Sequence, residues 1–185
     1  MKKLALACIL GALTMFIWGA ISWVVLPWHK MTMHSFSNED AVVAAIKSGN
    51  ATNGMYTIPG RSTDPTLIEA KRKQGPVAMI SYQAEGSDMM NPVFYLKGIL
   101  LDILIMFVAV SMMSKISWSL ASYGNRVKFM MMIGVIIGLS ARIGDMIYMN
   151  MPMDFSIIYA IDEVVTWTLA GFVVARFIKP VMKTA

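Results

Sequence analysis

The stretch FSIIYAIDEVVTWTLAGFVVARFI, residues 155–178, is apolar or small almost throughout, yet carries two adjacent acids, Asp162 and Glu163, near its middle. Its length suits a helix crossing a hydrocarbon core, which takes about 20 apolar residues. Each charge at that depth costs roughly 2.5–3.5 kcal/mol on insertion scales, so a chain that keeps two has a structural or functional use for them.

Three further runs of the same kind are Leu4–Pro27, Val93–Ser114 and Phe129–Met149. With 57% of the chain hydrophobic, well above a soluble domain, the expected fold class is an all-α membrane protein. Four transmembrane helices are expected at residues 4–28, 93–122, 127–149 and 155–178, with a small extracytoplasmic α/β cap at 29–92 between the first two.

The formal charge is +5, and its distribution gives an orientation. Lys2 and Lys3 precede the first run; Lys115, Arg126 and Lys128 flank the connection between the second and third; Arg176, Lys179 and Lys183 follow the fourth. The turn Asn150–Asp154 has no basic residue. The positive-inside rule then places both termini in the cytoplasm and residues 29–92 outside, in a bacterial-type inner (plasma) membrane. The basic excess is accounted for by orientation and contact with lipid headgroups, so no nucleic-acid partner is expected. The start, MKKLALACILGALTMF, resembles a signal peptide, but its apolar run continues to Pro27 and is read as an uncleaved anchor. Cys8, the single cysteine, is read as a small apolar side chain.

Between the first two runs, Ser37-Asn38-Glu39-Asp40 resembles a capping box before a helix over Ala41–Lys47. Met55–Ile58 and Val77–Gln83 read as short strands. Asp64-Pro65 is an N-cap followed by proline, opening a helix to Gln74. In the third run, Gly134 and Gly138 form a small-xxx-small pair, a signature of close helix packing.

At 1.5 Å per residue, Asp102, Arg142 and Asp162 each lie about 12 Å below the outer boundary, with Asp145 shallower and Glu163 one residue deeper. Tyr159 and Thr166 share helical faces with the two acids on the last run and are candidates to hydrogen-bond them. Four acids against one arginine is not tenable in low dielectric with every group ionised. Convergence of these carboxylates on Arg142 therefore implies a proton, a cation, entering water, an inward-reaching Lys97 or a partner's basic groups.

A second candidate site is the methionine- and histidine-rich outer boundary. His29, Met31, Met33 and His34 follow the first run, and Met149, Met151 and Met153 surround the outer turn. Thioether and imidazole suit copper, whereas methionine is also an ordinary apolar filler; copper is the one cofactor that the residues raise. No His-Glu-x-x-His motif, catalytic triad or phosphate-binding glycine loop is present. The functional expectation is a non-enzymatic subunit or accessory factor of a membrane assembly, with the lipid bilayer and a protein partner or second copy as its contacts. The alternatives are a small proton- or cation-coupled transporter or channel, and a copper-binding membrane protein.

Overall fold

The computed structural model describes residues 2–62 and 64–180; Lys183 lies outside the described residues. The protein is mostly helical, with four helices long and apolar enough to cross a membrane and one two-stranded sheet. It divides into a helical unit, Met1–His34 with Asn91–Ala185, and a second unit, Ser35–Met90.

In the helical unit, α1 (Lys2–Ala20) continues into a π-helical turn over Ile21–Val25. Pro27 then precedes the four-residue helix α2 (Trp28–Met31). The first expected span, 4–28, is thus broken at Leu26–Pro27, where Leu26 is extended. Helix α5 (Pro92–Lys115) starts with Asn91 accepting from Val93 N and proline at the first position, an arrangement that satisfies one free N–H and dispenses with another. The expected second span reached residue 122, but the helix stops at Lys115. From there Ser117, Ser119 and Leu120 bond three residues back to Ser114, Ile116 and Ser117, and these short-range bonds turn the chain out of the helix. Ser122 caps α6 (Tyr123–Ile137) by accepting from Asn125 N. Gly124 and Asn125 therefore lie in the first turn of α6. A π-helical segment, Gly138–Ile143, and α7 (Gly144–Tyr148) continue this third apolar helix. Pro152 precedes α8 (Met153–Val174), which ends short of the expected residue 178.

The long helices pack in the order α5–α1–α8–α6: α1 lies against both α5 and α8, α8 lies against α6, and consecutive α5 and α6 barely touch. Gly11 meets Val174, while the Arg126 guanidinium reaches Ala175 O at 3.1 Å and Leu120 O at 2.9 Å. The start of α1, the end of α5, the start of α6 and the end of α8 therefore share one end of the unit.

The core is built from methionine and small residues: Met106, Met113, Met130, Ala7, Ala12, Ala170 and Val174 are fully covered, with Trp167 nearly so. A close seam, backbone against backbone, joins α6 to α8. A Cβ added at Gly134 would lie 2.9 Å from Glu163 O and from Trp167 Cβ, and one at Gly138 would lie 3.0 Å from Ala160 O. The Gly134–Gly138 pair thus packs two helices of the same chain at backbone distance.

The second unit contains α3 (Glu39–Ser48), β1 (Gly54–Ile58), α4 (Pro65–Gln74) and β2 (Ala78–Tyr82). Asn38, rather than Ser37, caps α3, its Oδ1 accepting from Ala41 N. The strands pair antiparallel from Gly54↔Tyr82 to Ile58↔Ala78. No described residue of this unit is fully buried, and a lone two-stranded sheet is marginal in water. Its local order rests on polar contacts. Tyr56 Oη donates to Thr52 O (2.8 Å) and accepts from Thr52 N (2.9 Å). Asp64 Oδ1 accepts from Thr66 Oγ1 (2.7 Å) and Thr66 N (2.9 Å).

Two outcomes are expected. Replacing Gly134 with valine forces a branched side chain onto the α8 backbone, and such overpacking costs about 1–3 kcal/mol or more; thermal unfolding of the purified protein should show a lowered Tm. In the second unit, the Thr66 hydroxyl and then the Thr66 and Leu67 amides hold the Asp64 carboxyl below its usual value, and the Asn53 amide does the same for Glu85. Depressed carboxyl values stabilise above the ordinary range and lose that contribution as pH falls through the lowered value. Carboxyl-detected NMR titration should find Asp64 and Glu85 below unpaired aspartate and glutamate.

Candidate functional site

The polar residues gather at the end opposite Lys2 and Lys115. The π turn of α1 and the break at Leu26–Pro27 let Trp28 fold back, so that its Nε1 donates to Ser22 O (3.1 Å) and Ser22 Oγ (3.0 Å). This places His29 in a wholly buried position. Its ring stacks on Trp23 (centroids 4.3 Å apart, planes 9° apart) and meets Tyr159 edge-on at 4.6 Å.

Asp162 of α8 completes this cluster. Its Oδ1 accepts from Trp18 Nε1 at 2.7 Å, and its Oδ2 lies 3.1 Å from His29 Nε2. Ser22 Oγ is 3.0 Å from the same Nε2. Each carboxylate oxygen has a polar partner from the α1–α2 region, on an acid that is almost completely covered.

Glu163, one residue on, turns to the other neighbour of α8. Arg142, in the π segment of the third apolar helix, donates through Nη2 to Glu163 Oε1 at 2.8 Å. Its guanidinium carbon lies 5.4 Å from the centre of the Tyr159 ring, within cation–π range. Tyr159 also stacks on Phe155 at 4.1 Å. It therefore touches both groups, with His29 against one part of its ring and Arg142 against another. Among the described residues, three buried polar side-chain atoms have no hydrogen-bond partner: His29 Nδ1, Arg142 Nε and Ser156 Oγ. Both π-helical segments among the described residues carry residues of this site, and such local widenings of a helix recur at functional positions.

The sequence expectation of one layer converging on Arg142 meets a different geometry. Arg142 pairs with Glu163 alone. Asp162 is taken by Trp18 and His29. Among the described residues, the side chains of Asp102, Asp145 and Thr166 make no hydrogen bond or ion pair with this group; Asp145 contributes its backbone carbonyl to Met149 N. Trp18, Ser22 and Trp28 were missed as site residues. The available signal was their polar edges, an indole N–H or hydroxyl that needs a partner when buried in an apolar run, but nothing local says which acid would supply it.

Of the residues weighed as copper ligands, His29 has Nε2 engaged by Asp162 and Ser22. Met31, Met33, His34, Met149 and Met153 are exposed and Met151 is half-buried. Among the described residues, no three His, Cys, Asp or Glu side chains are placed to hold a metal ion.

No family model matches the chain, and neither curated proteins nor solved structures include a similar one. The site's meaning therefore rests on its own chemistry.

Removing the acceptor of buried hydrogen bonds leaves its donors unsatisfied, at about 1–3 kcal/mol. Asp162→Ala should accordingly lower stability far more than Asp102→Ala, which deletes a carboxylate with no partner. Chemical unfolding monitored by tryptophan fluorescence compares the two, and Asp162→Asn should recover part of the loss by restoring an acceptor for Trp18.

Proposed function

We propose that the protein is a multi-pass inner-membrane protein acting as a non-enzymatic subunit or accessory factor of a membrane assembly. Its N and C termini are cytoplasmic and residues 29–92 lie outside. The observation that carries this reading is the division of the two α8 carboxylates. Asp162 ties α8 to the α1–α2 region, and Glu163 ties it to the Arg142 helix. Charges already satisfied within the chain suit a clamp that fixes helix packing better than a path along which ions exchange partners. Arg142 keeps part of its side chain exposed, which leaves it as the group to meet a protein partner or a second copy.

A second reading, a proton- or cation-coupled transporter, is favoured by one specific feature: the unpartnered His29 Nδ1 and Ser156 Oγ are atoms that entering water or a migrating proton could engage.

Purification in mild detergent separates the two readings. The assembly reading expects the protein to recover a partner, or its own copy, at fixed stoichiometry, with Arg142→Gln reducing that recovery severalfold while the monomer stays folded. Isolation as a lone monomer, with ion flux in reconstituted vesicles that Asp162→Asn abolishes, would instead establish the transporter.

A further inference from the structure

A groove of about 590 Å³ runs along the seam of α1 and α5, away from the charged site. It is lined by Leu4, Cys8 and Ile9 from α1 and by Leu100, Leu104 and Phe107 among the residues of α5. On α5 the lining extends from Leu100 to Ser111, about 16 Å along the helix axis, close to the depth of one bilayer leaflet, about 15 Å. The lining is almost entirely apolar, with Ser111 and Cys8 its polar exceptions.

The chemistry changes at one end. Lys115 lies one turn beyond Ser111, and Lys2 and Lys3 lie just before Leu4; all three are exposed. They share the end of the helical unit that also holds Arg126, Lys128 and Arg176. The stretches that carry them hold no acidic residue: the sequence has none in residues 1–38, 103–144 or after Glu163. A leaflet-deep apolar groove ending in lysines is complementary to a molecule with a long hydrocarbon chain and a negatively charged head.

We infer that the α1–α5 seam is a binding site for one anionic phospholipid, its acyl chain in the groove and its headgroup phosphate against Lys2, Lys3 and Lys115. The site rests on the membrane-spanning reading above and adds lipid selectivity to it. A bound chain covers apolar wall that α5 leaves open because it packs on α1 and scarcely on α6. Each lysine near an anionic headgroup adds to the attraction, and a zwitterionic lipid of the same chain length gains none of that preference.

The test uses the full-length protein, purified and incubated with phosphatidylglycerol or phosphatidylcholine of matched chains, with retained lipid read by native mass spectrometry. The expected result is one phosphatidylglycerol held per chain at least tenfold more strongly than phosphatidylcholine. The triple variant Lys2→Gln, Lys3→Gln, Lys115→Gln should remove that preference; its changes are on exposed positions, so helix content by circular dichroism should be unchanged. Leu104→Trp, which fills the groove and leaves the lysines, should lower retention of both lipids. Equal retention of the two lipids by the natural sequence, or an undiminished preference in the triple variant, overturns the inference. Failure of the membrane-spanning reading is seen separately, as protein released from cell membranes by alkaline carbonate; a chain that resists carbonate but holds both lipids alike refutes the lipid site alone.

Discussion

Two adjacent carboxylates on an apolar helix impose the strongest constraint in this protein. Neighbours one residue apart on a helix point about 100° away from each other, so one partner cannot serve both. The protein resolves this by giving each acid a different neighbour: Asp162 faces Trp18 and His29, and Glu163 faces Arg142. α8 is thereby held on two sides by bonds that would each leave a stranded polar group if the helices separated. Apolar contacts are non-directional, whereas these polar contacts require particular partners.

The glycine seam makes these bonds possible. Arg142 can reach Glu163 because α6 and α8 approach at backbone distance around Gly134 and Gly138. On the other side, Gly11 lets α1 lie against Met106 and Val174, which sets the path that brings Trp18 level with Asp162. Close packing and charge pairing thus depend on each other: small residues set the spacing, and the polar contacts set the register.

Much of this was legible beforehand for simple reasons. Long apolar runs declare themselves because only a helix satisfies the backbone in a low-dielectric setting. The Asp64-Pro65 cap, the Gly134–Gly138 spacing and both strands of the second unit depend on neighbours within a few residues, and the structure places them close to where local pattern did. The helix limits at Lys115 and Ser122 differ from the expected 122 and 127. A serine-rich stretch such as 114–122 is apolar enough to continue a helix, yet its short-range hydrogen bonds favour turns, and hydropathy cannot weigh one against the other.

The amino-acid sequence by itself determined the number of apolar helices, the presence of a small mixed unit between the first two, and the candidate charges on their spans, because periodicity, capping and the cost of charge are local properties. Only the tertiary structure decided who neutralises whom. His29 looked like a boundary residue suited to metal, but the break at Pro27 turns it inward onto Asp162, 133 residues away. Partner choice between helices depends on their relative rotation and offset, which are set jointly by glycine contacts and side-chain shape across the whole bundle and leave no mark in any single stretch of chain.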